Sequence, residues 1–337
     1  MACLVCKSED GVTHHVREMM FGMRGEFLYL ECDHCGCLSL QNPPSDMSPF
    51  YPPEKYYSFN ADVPVVRRGN RIRRWAKRVR DNAACFGRGG ISGAIARRFP
   101  NQDATECRNW IRHTSLNSRH ARILDVGCGS GWHLRRLQQL GFTDLTGIDP
   151  YLSNDLHYEN VHIYARPILT LKGRQFDLVM LHHSFEHMPD PIGTLTQIRE
   201  LMASRGECLI RVPVVSRGPW RMYGTCWAEI DAPRHYVLHT ELSLKIAAER
   251  AGLAIKCIQY ESDVFTYLAS ELYRRDLSLH DSATNSRRDW NAVFPPDELH
   301  QFESIRRHHH VPGWAGRAAF FLTPRTSSDL DIPVFAG

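Results

Sequence analysis

The chain has no apolar run of membrane-spanning length, and its first residues, Met1-Ala2-Cys3-Leu4, lack the charged, then apolar, then small order of a signal peptide. Neither sign of charge dominates: 41 Lys and Arg face 37 Asp and Glu, a net of +4. These absences argue against a membrane span and against a strongly basic polyanion binder, and the expected compartment is cytoplasmic. An evenly spread cysteine framework is also missing. Five of the eleven cysteines fall within the first 37 residues, which points to a metal site and not to disulfides. What remains is 337 residues with an ordinary 43% apolar content, room for one large α/β domain and an appendage.

The appendage comes first. Cys3-x2-Cys6 and, 25 residues later, Cys32-x2-Cys35-Gly36 are two knuckles able to give four thiolates to one tetrahedral zinc. The gap holds a β-hairpin, with Phe27 to Leu30 as a strand entering the second knuckle. Residues 1–41 are therefore expected to form a zinc ribbon with ligands Cys3, Cys6, Cys32 and Cys35, leaving His34 and Cys37 spare. A closed four-thiolate site has no open position for substrate, so the ribbon should position something and not catalyse.

Residues 42–120 read as a proline-rich connector and a basic helical region. Pro43-Pro44 and Pro52-Pro53 fix an extended path, and Tyr56 and Tyr57 are expected to dock on the main domain. From Arg67 to Arg80 there are eight cations and no acid. The spacing of Ile72, Trp75, Ala76 and Val79 suits the buried face of a helix, while attraction to phosphate, whether of nucleic acid, nucleotide-sugar or anionic lipid, stays open. Gly87 to Gly93 mark a break.

Residues 121–325 carry the main domain. Arg122 to Val126 is an apolar strand entering a glycine-rich turn, and Trp132 to Leu140 has helical spacing. A second strand, Leu145 to Ile148, ends on Asp149. Glycines that admit a ligand to the backbone, with a carboxylate at the edge of the next strand, suit a nucleoside. Trp132 stands where a dinucleotide fingerprint wants its third glycine. Further strands are expected at 161–164, 176–181, 206–213, 254–260 and 317–322, with helices at 191–203 and 241–251. Seven strands alternating with helices give an α/β, doubly wound open sheet whose crevice lies at the carboxyl ends of the central strands.

Asp125-x-Gly127-x-Gly129-x-Gly131, followed by Asp149, resembles the class I S-adenosylmethionine (SAM) methyltransferases. The resemblance implies a Rossmann-like seven-stranded sheet with the last strand antiparallel and SAM as cofactor. It places Asp125, Gly127 and Gly129 around the methionine part and Asp149 on the ribose. With the ribbon, "YPPEKYYSF" resembles bacterial zinc-ribbon methyltransferases of sugar, glycan and natural-product biosynthesis. The stretch "FDLVMLHHSFEHMPDP" resembles the motif that brings the fourth strand to the active site. It implies His182 at the cofactor and His187 as a general base beside Glu186, unless these two only cap or brace the following helix. Some relatives carry Glu-x-x-Glu-His here and bind a divalent metal. This chain has His183-x-x-Glu186-His187, a set suited to a transition metal but not to magnesium, and no metal is assigned to it.

Residues 214–240 read as a substrate lid. Its "DAPRH" resembles the same group, which implies substrate contacts by Trp227, Asp231, Arg234 and His235, with Arg234 as an anion clamp and His235 as a second base. Residues 261–316 are an insertion that shapes substrate choice or dimer contacts, and 326–337 a loosely ordered tail. The expected activity is SAM-dependent methyl transfer to a small polar acceptor, a sugar or nucleotide-sugar. A tRNA or rRNA acceptor, using the ribbon and basic helix, is the less favoured alternative because the chain lacks an Asn/Asp-Pro-Pro-Tyr tetrad. A non-catalytic SAM-fold scaffold is the third: Ala165-Arg166-Pro167 stands where an acid for adenine is expected. The methylated atom and the oligomeric state are left open.

Overall fold

The computed structural model describes residues 2–52, 70–280 and 288–325. The Tyr56–Tyr57 cluster, Arg67, Arg68 and the tail 326–337 lie outside the described residues. Among those described, no helix is long and apolar enough to cross a membrane.

The amino-terminal sheet comprises β1 (Gly11–Arg17), β2 (Glu26–Cys32) and β3 (Leu38–Leu40), all antiparallel. Helices α1 (Arg71–Cys85), α2 (Gly90–Arg98) and α3 (Gln102–Ile111) follow. The main domain then alternates through β4 (Arg122–Val126), α4 (Trp132–Leu140), β5 (Asp144–Ile148), β6 (Leu156–Tyr158), β7 (Val161–Tyr164), β8 (Phe176–His182), α5 (Pro191–Leu201) and β9 (Met202–Pro213). Beyond it come α6 (Pro219–Tyr223), β10 (Val237–Leu238), α7 (Glu241–Arg250), β11 (Leu253–Glu261), α8 (Val264–Arg274), α9 (Trp290–Val293), α10 (Pro296–His308) and β12 (Arg317–Pro324).

The large sheet runs β11-β12-β9-β8-β4-β5-β7-β6. Strands β4, β5, β7, β8 and β9 are parallel, and β12 inserts antiparallel between β9 and β11. The count is eight, not the expected seven, because Leu156–Tyr158 adds a short edge strand antiparallel to β7. Its three residues alternate half-buried and exposed, too short a pattern to be read as a strand from sequence. After β4 the chain winds outward through β5 and β7, then returns to the other side of β4 at β8. The order reverses between β4 and β8, which opens a crevice at their carboxyl ends.

One layer of core, around Leu134, Leu137, Phe142 and Trp110, packs α3 and α4 on one face of the sheet. On the other, α5 and α7 pack with Cys3, Cys32, Cys35 and Cys37, so the cysteine cluster is part of the main core. A third cluster joins Phe27, Tyr29 and Leu38 of the small sheet to Trp220 and Trp227 of the lid and Tyr267 and Phe294 of the insertion. The ribbon region, lid and insertion thus share one apolar interior. Within it β10, a lid strand, pairs with β3 and completes a four-stranded sheet.

Helix α1 departs from the expected burial. Ile72 is 75% and Trp75 67% exposed, and Ala76 is exposed as well. Its carboxyl half buries Asp81, Ala83 and Cys85, whereas Ile72 and Trp75 of its amino-terminal half are not covered by the described residues.

Candidate active site

The turn after β4 places Gly127, Gly129 and Gly131 at φ of 72°, 51° and 77°. Two of these positions also exclude a side chain by contact. A Cβ on Gly127 would meet Ser184 at 2.5 Å, and one on Gly131 would meet Ile163 at 2.2 Å. The turn is therefore held tight against β7 and against Ser184, just past β8, and the Gly127 N–H donates to the Ile148 carbonyl at 2.8 Å. Asp149, just past β5, accepts the Gly129 N–H at 2.9 Å through Oδ2 and the Tyr151 N–H at 2.9 Å through Oδ1. Burial raises its pKa. Asp125, 2% exposed, is pushed up to about 8, first by burial and then by the Asp149 charge.

A cavity of about 740 Å³ opens here, a size that suits a cofactor and a small acceptor together. Its walls include Asp125, Gly127, Asp149, His182, His183 and His187. The His182 ring stacks on His133 at 4.1 Å, with Trp110 against it at 4.7 Å, and neither His182 nitrogen has a hydrogen-bond partner. Burial holds it well below the usual histidine range, so it faces the cavity neutral.

The turn Phe185–His187 carries the most telling polar group. Glu186 is 0% exposed and neither carboxylate oxygen is hydrogen-bonded; His183 Nδ1 lies 3.5 Å from Oε1 without satisfying it. Burial pushes Glu186 up to about 8. His187 Nδ1 lies 2.9 Å from the Arg234 carbonyl and 3.1 Å from the Tyr51 hydroxyl, and His235 Nδ1 lies 2.7 Å from the Glu229 carbonyl. A carbonyl oxygen only accepts, so both Nδ1 atoms carry the proton and both Nε2 atoms present a lone pair. The two rings meet edge to face at 4.5 Å. Burial, then the neighbouring His235, pushes His187 down to about 3.

Residues 96–258 match the family model described as "Methyltransferase domain". The chain is 32% identical over 113 residues to a tRNA U34 carboxymethyltransferase of Alcanivorax borkumensis, covering 30% of this chain and 34% of that one. It is 31% identical over 111 residues to a ubiquinone biosynthesis O-methyltransferase of Psychrobacter cryohalolentis, covering 29% and 42%. Among solved structures it is similar to the Burkholderia thailandensis 1,6-didemethyltoxoflavin-N1-methyltransferase, at 15% identity and a TM-score of 0.38, over 79% of this chain and 94% of that one. Residues 96–258 therefore carry a methyltransferase domain. The matched stretches span well under half the length of the two curated relatives.

In the methyltransferase domain, Asp125, Gly127, Asp149, His182 and His187 all line the cavity, and Gly129 backs it through its bond to Asp149. Glu186 and His235 stand directly behind His187. Three of the proposed substrate contacts are elsewhere. Trp227 is 1% exposed and packs in the lid core, so its ring meets side chains and not the cavity. Arg234 is fully buried, with Nη2 at 3.0 Å from Glu18 Oε1 and 2.5 Å from Asp231 Oδ1. That guanidinium ties β1's end to the lid and cannot clamp a substrate anion, and Asp231 is spent on the same pair.

Sequence reasoning missed Arg211, Asp263, Arg317 and Tyr51, which also line the cavity. Arg211 Nε donates to Glu261 at 2.7 Å; Arg317 donates to Glu229 at 2.9 Å and to Asp263 at 2.8 Å. An arginine inside the apolar strand Cys208 to Val212 was the available signal.

Among the described residues, two side-chain sets could hold a metal. The Sγ atoms of Cys3, Cys6, Cys32 and Cys35 lie within 4.8 Å of one another, a donor set that fits zinc, and Cys37, expected to be spare, has its sulfur 3.5 Å from both Cys3 and Cys35. Glu186, His187 and His235 also bring one donor atom each within 4.8 Å. Two Nε2 lone pairs whose opposite Nδ1–H groups are fixed by carbonyls, with a buried unbonded carboxylate, fit a divalent transition ion better than magnesium. His183, expected in such a set, is replaced by His235 from the lid.

Proposed function

We propose that this protein transfers the SAM methyl group to a small polar acceptor, a sugar or nucleotide-sugar, bound between the glycine turn and the paired histidines. The observation that carries the reading is that His187 lines the cavity with its Nδ1–H held by the Arg234 carbonyl, so that its neutral ring offers an acceptor nitrogen, with His235 packed edge to face behind it. The relatives' tRNA and ubiquinone-pathway names cover only the shared core, and a nucleic-acid acceptor is the alternative that the tRNA names favour.

Asp149 would accept the ribose hydroxyls, and the Gly127–Gly129 turn would take the methionine part along its backbone. Bound there, SAM supplies a methyl group on a positively charged sulfur. His187, or His235 behind it, would accept at Nε2 the proton that the acceptor's oxygen or nitrogen gives up when it takes the methyl group. Arg211, Arg317 and Asp263 line the same cavity as an ion-paired network with Glu261 and Glu229, and would offer fixed hydrogen-bonding groups to a hydroxyl-rich acceptor. The four-cysteine cluster would hold a structural zinc.

In a second reading, favoured by the unbonded Glu186 carboxylate, Glu186, His187 and His235 hold a divalent transition ion that acidifies the acceptor hydroxyl. The test is methyl transfer from labelled SAM to nucleotide-sugars and to total tRNA, with metal analysis of the same sample. Label in a sugar nucleotide supports the proposal, and label only in tRNA overturns it. A second metal per chain that is lost in Glu186→Gln selects the metal-assisted form.

A further inference from the structure

Helices α1 and α2 are inverted relative to an ordinary surface helix. In α2 the small residues Gly93 and Ala96 are buried, whereas Ile91 is 83%, Ile95 42% and, at its carboxyl cap, Phe99 58% exposed. Ile91, Ile95 and Phe99 recur every four residues, so they share one face. In α1, Ile72 and Trp75, three apart, are exposed in the same way. The two helices pack against each other, so both apolar stripes belong to one cap.

The cap is also where the chain keeps its positive charge. Between Arg71 and Phe99 there are nine Arg and Lys and a single acid, so with a net of only +4 the rest of the chain is net negative. That acid, Asp81, is 1% exposed and is taken up by Arg80 at 2.7 Å and Asn101 at 3.0 Å. Arg78, Arg88, Arg97 and Arg98 are exposed around the apolar positions.

From this juxtaposition we propose that the α1–α2 cap docks on an anionic lipid surface, with Ile72, Trp75, Ile91, Ile95 and Phe99 entering the headgroup boundary and the arginines pairing with lipid phosphates. Charge complementarity names the phosphate, and the aliphatic side chains name the bilayer. Nucleic acid rewards cations and flat rings, but three exposed isoleucines gain nothing on a phosphate backbone. The cap packs through α1 on α3, whose Glu106 lines the cavity, so docking would bring the active site to the membrane surface.

The experiment is co-sedimentation of the full chain with phosphatidylcholine vesicles, with phosphatidylcholine–phosphatidylglycerol vesicles, and a parallel titration with total tRNA, at low and high salt. Binding is expected to the anionic vesicles alone, weakening with salt. A variant combining Ile91→Ser and Ile95→Ser should bind at least about tenfold more weakly with an unchanged melting temperature, because both side chains are exposed and support no core. Tryptophan emission should shift to the blue on vesicle binding, and the shift should shrink in Trp75→Phe. Absence of binding to anionic vesicles at low salt, or equal binding by the double variant, overturns the proposal. So does salt-sensitive binding to tRNA alone.

Discussion

At the scale of single residues, the site depends on which nitrogen carries a proton. The Arg234 and Glu229 carbonyls fix both Nδ1–H groups, so His187→Ala or His235→Ala should lower kcat by about 10²- to 10⁴-fold while leaving SAM affinity intact, if that residue takes the proton. Calorimetry beside turnover separates the two effects. Because burial pushes His187 down to about 3, it stays a neutral acceptor far below the usual histidine range. The acid limb of kcat/KM should therefore lie well under pH 6, and a limb near the ordinary histidine pKa would contradict His187 as the base. Much of this site was legible in the sequence, because glycines at fixed spacing and an acid ending the next strand are local patterns. Trp227, Arg234 and Asp231 misled because their lid context reads the same whether a side chain faces substrate or a buried carboxylate. Only the fold brings Glu18, 216 residues away, to Arg234.

At the scale of elements, the lid is held by the amino-terminal sheet. β10 pairs with β3, the Tyr29 hydroxyl donates to the His235 carbonyl at 2.7 Å, and the Tyr236 N–H donates to the Glu186 carbonyl at 2.8 Å. Tyr29 is fully buried, so this bond fixes the backbone that carries His235. A ribbon expected only to position something thus has an object. The Cys3→Ser variant should lose one zinc per chain by metal analysis and lose turnover more than SAM affinity; retained zinc would contradict the four-thiolate set. Arg234→Ala would leave Glu18 and Asp231 buried without a cation and should cost about 3–5 kcal/mol in chemical denaturation. The ribbon's strand pairing into the lid was not legible, since β10 is two residues long and carries no periodicity. The same limit applies to α1, whose helical spacing is real but whose apolar face looks away from the core.

At the scale of the molecule, buried titratable groups set the response to pH. Burial lowers His133, His182, His187, His235 and His239, while Asp125, Asp149 and Glu186 are raised. Between the ordinary carboxylate range and about pH 8, the folded chain holds more protons on those acids than the unfolded chain, so their contribution to stability grows as pH falls from 8. Below about pH 6.5 the unfolded histidines take up protons that the folded ones refuse, and stability is lost as pH falls further. These five histidines, with His183 lowered by burial in the same way, outnumber the three carboxyls, so the melting temperature should pass through a maximum near neutral pH and drop toward pH 5 at fixed metal content. A melting temperature still rising at pH 5 would contradict the neutral, buried assignment of the histidines. The doubly wound sheet was legible at this scale because its strands are long apolar runs, and the eighth strand was not because it is three residues at an edge.

The account rests on a nucleoside cofactor held by Asp149 beside the glycine turn. Titration calorimetry of SAM into the wild-type chain and into Asp149→Ala tests this most directly. The prediction is one SAM per wild-type chain and at least about tenfold weaker binding by the variant, the loss expected when hydrogen bonds to a carboxylate are removed. Equal affinity in the two proteins would contradict it.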